Sequence, residues 1–189
     1  MRKHESLNFY SGLFCLMIPF LVLWKLNWIV PPSISYTHYT NARDYFEVLL
    51  GLICFCFYFN PGFENKFEYY LNKISGFSGL GVILFPCNEI SRTFLKIKFP
   101  ILHYLSAGTL FISFSIILIF VFTQLRSKKG WTKNKYKRNY IYIFCGLSII
   151  FSLILIATNA ISIFYGEVLM ILFYGIPYTL VQSKVFLKD

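Results

Sequence analysis

Apolar residues fill this chain in long blocks separated by short polar gaps. No Asp, Glu, Lys or Arg occurs between Glu5 and Lys25, from Val48 to Phe63, from Ile74 to Asn88, from Phe99 to Leu125, or from Asn139 to Gly166. After Glu167 the apolar run resumes as far as Ser183. The blocks are long and do not alternate, which excludes the strands of an outer-membrane barrel. A spanning helix needs about 20 mostly apolar residues. The 45 residues from Asn139 to Ser183 carry one charge. As a single helix they would reach about 68 Å, twice a bilayer. The chain must fold back, and Thr158, Asn159 and Ala160 are the turn.

The pattern predicts an all-α fold: one transmembrane domain over residues 1–189. It is a polytopic helical bundle of six spans, at about 9–30, 44–60, 73–89, 100–124, 139–157 and 161–182. The third span is short and carries Gly76, Ser78, Gly79 and Gly81. Small residues let helices approach closely, so it reads as a central helix wrapped by the others. The first span has the basic start of a signal peptide. Its long apolar run, followed by Lys25 and Trp28, and the poor cleavage site at Ser33-Ile34-Ser35 favour a retained signal anchor.

Lysines and arginines set the direction. With six spans, one side holds Arg2, Lys3, Lys66, Lys73, the seven basic residues from Arg126 to Arg138, Lys184 and Lys188, thirteen in all. The other side holds four: Arg43, Arg92, Lys96 and Lys98. Lys25 snorkels near a helix end. The excess predicts both termini in the cytoplasm, in the inner membrane of a bacterium. A five-span arrangement lacking the third helix gives a weaker asymmetry.

Composition agrees. The chain is 57% hydrophobic, 21% aromatic and 14% charged, with a net charge of +10, against about 25% charged in soluble domains. So few charges cannot wet the surface of a soluble enzyme of this length. A disordered chain and a disulfide-rich secreted module are excluded with it. The five cysteines lie in or beside apolar runs without a C-x-x-C pair, and read as small buried hydrophobes.

Several local patterns occur in a fixed order. They are Ser33-Ile34-Ser35-Tyr36, then Arg43-Asp44-x-Phe46, Gly62-Phe63-Glu64, Gly81 to Pro86, and His103 to Ala107. Arg138-Asn139-x-Ile141-Tyr142-x-x-Cys145-Gly146 follows, and Glu167 stands eight residues before Gly175. Together they resemble the small bacterial six-span membrane proteins of the domain-of-unknown-function 998 type, over nearly the whole chain. The resemblance implies a helical bundle and no established activity. The sequence departs from that pattern at Glu47, Val48 and Pro177.

Ionisable groups inside spans are functional suspects. Here they are Asp44, Glu47, His103 and Glu167, with Arg43 at a boundary and Ser35 in the loop above. The six-span topology puts them all toward the outer leaflet. This predicts an outward-facing polar pocket that binds a lipid headgroup or a small polar molecule. Glu167, about 9 Å deep, is expected to lie within direct or water-bridged reach of His103 or Arg43, with Asp44 beside the same cavity. A purely structural reading competes with this. Asp44 suits a helix N-terminus, Arg43 and Glu47 pair at i, i+4, and His103 with Glu167 would fix two helices together. A third reading is an intramembrane hydrolase, with His103, a serine (Ser35 or Ser106) and a carboxylate as base, nucleophile and orienter. A zinc site of His38, His103 and a carboxylate is formally open. No metal and no cofactor are expected, and enzymatic activity is the weaker expectation.

Arg126, Lys128, Lys129, Lys133, Lys135, Lys137 and Arg138 form a basic loop without a negative charge. Such loops orient a chain and touch anionic lipid. The loop is also where a cytoplasmic protein would contact a membrane-anchored effector or accessory subunit, pore-forming in one version and homo-oligomeric in another. The bilayer is the expected partner; nucleic acid is not.

Overall fold

The computed structural model describes residues 3–62, 66–87, 93–94, 97–124 and 132–181. Among the described residues six α-helices follow one another: α1 Lys3–Lys25, α2 Arg43–Phe59, α3 Lys66–Leu84, α4 Phe99–Ile116, α5 Lys133–Ala157 and α6 Ile163–Ile176. A 3-10 turn, Ser35–Tyr39, precedes α2. The α4 and α6 helices continue as π-helical segments, Ile117–Phe122 and Pro177–Val181. Thr93–Phe94 pairs antiparallel with Ile97–Lys98 in the α3–α4 connection. Four of the described helices are long and apolar enough to cross a membrane: Glu5–Lys25, Phe99–Phe122, Lys133–Ala157 and Ile163–Leu180.

Each helix packs on its neighbours in sequence, and α6 returns to α1, so the six close a ring. Glycines mark the seams. A Cβ on Gly76 would stand 3.2 Å from the Cys54 carbonyl of α2. One on Gly81 would strike Ser106 of α4, and one on Gly146 would stand 3.2 Å from the Ser115 carbonyl. Gly12 of α1 abuts Thr179 while Leu16 abuts Gly175, so these two helices run antiparallel. The small residues of α3 therefore act as expected, but the helix is not central. It sits between α2 and α4 and turns Tyr70, Phe77 and Leu84 outward.

Helix ends differ from the sequence reading for local reasons. The α1 helix stops at Lys25 because Asn27 and Trp28 take left-handed backbone (φ 51° and 64°), and the Trp28 amide donates back to the Leu23 carbonyl at 2.7 Å. Ahead lie Pro31 and Pro32, which cannot continue a helix. The α3 helix starts at Lys66, well before the expected residue 73, because Glu68 is buried rather than in a loop. It ends before Pro86. Between α5 and α6 the chain reverses at Thr158–Ala160 with Asn159 at φ 56°.

An aromatic cluster packs inside the ring. Phe114 stacks on Tyr174 with centroids 4.0 Å apart, Tyr174 meets Tyr178 at 4.3 Å, and Phe122 meets Tyr178 at 5.0 Å. Phe57 closes on the same group. Buried polar residues gather in two regions, one under the 3-10 turn and one at the end where α1, α3 and α5 begin. They are called the turn end and the basic end below.

Candidate functional site

At the turn end, α6 carries Glu167 on its inward face. Oε2 accepts the Ile34 amide at 2.5 Å and Oε1 accepts the Ser35 hydroxyl at 3.1 Å. The Ser35 amide also faces the carboxylate. Ile34 is the N-cap of the 3-10 turn, so Glu167 receives the amides that a helix start leaves without partners. Ser33 Oγ accepts the Tyr36 amide at 2.9 Å, and Ile34 is buried. The Ser33-Ile34-Ser35 triplet is thus a clasp. One serine closes the turn, the isoleucine plugs the bundle, and the other serine ties the loop to α6.

Beside it, Glu47 Oε1 accepts Arg43 Nε at 2.6 Å and lies 2.9 Å from His38 Nδ1. The hydrogen bond and charge of Glu47 push the exposed Arg43 guanidinium still further up, so it stays charged. His38 Nε2 faces the Val82 carbonyl at 3.3 Å, and buried His103 faces the Phe85 carbonyl through Nδ1 at 2.6 Å. The two histidines thereby tie the 3-10 turn and α4 to the end of α3.

The site residues fall into separate groups. Ser35 and Glu167 are joined, and so are Arg43 and Glu47. Asp44 is exposed, and its charge acts on Arg43. Glu167 makes no direct hydrogen bond or ion pair with His103 or Arg43; its direct partners are Ile34 and Ser35. Backbone amides satisfy the carboxylate without desolvating a second ion, which a buried pair would require. His103 makes no direct hydrogen bond to Ser35 or Ser106; its ring faces the Phe85 carbonyl. Among the described residues no three His, Cys, Asp or Glu side chains gather as metal ligands.

A cavity of about 50 Å³ lies beneath the clasp. Cys15 and Ile18 of α1, Phe46, Leu50 and Ile53 of α2, Val82 of α3, Leu110 and Phe114 of α4, and Ile171 of α6 line it. Ser35 and Glu167 are its polar edge. The pocket expected to be polar is therefore apolar with one carboxylate at its rim. That carboxylate has four lone-pair sites, so some remain for a further donor.

The basic end was not singled out from the sequence, although it is strongly polar. Glu5, Asn8 and Ser11 of α1, Asn60 after α2, Glu68, Asn72 and Ser75 of α3, and Lys135 and Arg138 of α5 are all buried. The signal was present in the spacing. Glu68, Asn72 and Ser75 stand at i, i+4, i+7, one helix face, as do Lys135, Arg138 and Tyr142 at i, i+3, i+7.

The basic loop needs a matching correction. Arg126, Lys128 and Lys129 lie outside the described residues. Lys133 and Lys137 are exposed, as a lipid or partner contact requires. Lys135 and Arg138 face inward instead. Lys135 Nζ donates to the Phe122 carbonyl at 2.8 Å, and Asn139 donates to the Thr123 carbonyl at 3.2 Å. These side chains satisfy carbonyls that the end of the π-helical segment leaves without intrahelical partners.

No family model matches the chain, and no curated protein or solved structure matches it either.

Proposed function

We propose that the protein is a six-span inner-membrane protein that binds a lipid or small amphiphile at the turn end. The observation that carries this reading is the apolar cavity with Glu167 at its rim. About 50 Å³ is too small for a whole lipid; a cavity of about 150 Å³ takes benzene. It accommodates the first carbons of a chain whose amine or hydroxyl head donates to Glu167. The resemblance to six-span membrane proteins and the excess of basic residues on one side support an outward-facing turn end. On this reading α2 and α3 also cross the membrane, with Glu68, Asn72 and Ser75 of α3 turned into the ring.

Native mass spectrometry of the purified protein tests the reading. A retained amine- or hydroxyl-bearing lipid is expected. It should be lost from Ala107→Phe, which fills the cavity while leaving the Glu167 clasp in place. A wild-type protein that carries no lipid, or an Ala107→Phe variant that keeps it, would overturn the proposal.

A further inference from the structure

The 3-10 turn roofs the turn-end cavity, and its two ends are fastened by different chemistry. At its start, Ile34 and Ser35 line the cavity and are held by Glu167 of α6. At its other end the fastener is His38, whose side chain is 5% exposed. The His38 ring stands between two acceptors on two helices. Nδ1 lies 2.9 Å from Glu47 Oε1 of α2, and Nε2 lies 3.3 Å from the Val82 carbonyl of α3. The ring packs edge-to-face on Phe46, a wall of the same cavity, with centroids 5.6 Å apart.

The sequence explains why that carbonyl is open to a side chain. A helical carbonyl accepts the amide four residues on. For Val82 that residue is Pro86, which has no N–H. The Phe85 amide is already taken by the Gly81 carbonyl. The end of α3 therefore offers the Val82 oxygen to the turn, and His38 meets it. A neutral imidazole has one N–H and one lone pair. It can donate to Glu47 or to Val82, and the other nitrogen then turns a lone pair on an oxygen. The imidazolium donates to both. The proton count on His38 thus decides whether the turn is joined to α2 and α3 together or to one of them.

The charged groups around the ring come from each neighbouring element. Glu47 of α2 is the counter-charge, and the exposed Arg43 guanidinium shares its Oε1 at 2.6 Å. Asp44 acts on Arg43. On α4, His103 faces the Phe85 and Val82 carbonyls, and a charge there opposes one on His38. Tyr39 of the turn lies beside the ring, and Glu167 of α6 holds the start of the turn.

We infer that the turn Ser35–Tyr39 is a proton-operated lid on the turn-end cavity, latched by doubly protonated His38 and released when that ring loses a proton. Lifting the turn withdraws Ile34 and Ser35 from the cavity. Histidine changes charge between about pH 5 and 8. The sign follows from the contacts. Falling pH adds the second N–H and shuts the lid, and rising pH removes it. The carboxylates act in the opposite sense, because protonating Glu47 or Glu167 takes away an acceptor and loosens the turn as pH falls. The lid regulates the ligand site proposed above and rests on that reading, but the latch is readable without any ligand.

Hydrogen exchange of the purified full-length protein in detergent, read by mass spectrometry, tests it. Each rate is divided by that of an unstructured peptide at the same pH to give a protection factor. Protection over residues 34–40 is expected to fall about tenfold from about pH 5.5 to about pH 8, the effect of losing one charge-assisted hydrogen bond. Protection in α5 should hold. His38→Gln cannot gain a charge, so its protection over 34–40 should be low and equal at both pH values. Glu47→Gln keeps an acceptor oxygen but removes the counter-charge, and should lower protection at about pH 5.5; it decides if His38→Gln does not fold. Wild-type protection that is constant or falls with falling pH, or a His38→Gln variant that keeps the wild-type response, would overturn the latch. A lid that responds in a protein carrying no lipid leaves the latch standing and removes the lipid reading alone. Retained lipid under a lid indifferent to pH removes the latch alone.

Discussion

Glu167 shows what a single residue contributes when its partners are backbone. A carboxylate offers two equivalent oxygens, and here one takes the Ile34 amide and the other the Ser35 hydroxyl. Glutamine offers one oxygen and an NH2, so one donor must then face another donor. Glu167→Gln should destabilise the protein by about 1–3 kcal/mol, the usual cost of orphaning a buried polar group. Ser35→Ala removes one donor without stranding a charge and should cost less, about 1 kcal/mol. Thermal or denaturant unfolding in detergent checks the order; equal stability of Glu167→Gln and wild type would show that the clasp is idle. The suspicion of Glu167 was legible in the sequence, as a lone acid in an apolar run. Its partner was not, because every residue carries an amide and only the fold decides which amides stand free. His103 is the same case: its ring meets the Phe85 carbonyl, a group no side-chain pattern announces.

At the scale of the element, the seams between helices are set by what is missing from their faces. A Cβ on Gly12 would lie 2.8 Å from both the Thr179 amide nitrogen and Tyr178 Cβ. A backbone neighbour cannot swing aside as a side-chain end can. Gly12→Ala should therefore force α1 and α6 apart and cost about 1–3 kcal/mol, the range for overpacking. Gly51 on α2 is the control, since a Cβ there meets nothing within 4 Å. Gly51→Ala should leave stability unchanged or raise it by up to about 1 kcal/mol, because alanine holds a helix better than glycine. Identical melting behaviour in the two variants would mean that the α1–α6 seam is loose. The six helices themselves were legible, since long charge-free blocks have few other solutions. The starts of α3 and α5 were misread for one reason. Charged residues there were assigned to loops, yet Glu68, Lys135 and Arg138 point into the ring. Composition counts charges, and only their spacing along the helix shows which way they face.

The whole molecule combines a closed ring with an uneven distribution of charge. Six helices, each packed on its sequence neighbours, return the chain to the end where it began. The six-span reading assigns thirteen of the eighteen lysines and arginines to that side, and cationic segments are retained on the cytoplasmic side. Burial of Lys135 and Arg138 does not weaken this argument. The rule acts on loops as the chain inserts, before the bundle closes over those side chains. Lys133 is exposed at the start of α5 and reports on the side directly. All five native cysteines are buried and should react slowly, which leaves a low background. Lys133→Cys is therefore expected to resist an impermeant thiol reagent in intact cells and to react once the membrane is opened. A cysteine in place of Trp28, which is exposed just beyond α1, should do the reverse and react in intact cells. Labelling of Lys133→Cys from outside would invert the molecule. The Glu167 clasp would then face the cytoplasm, and lipid binding would have to be read in the opposite direction.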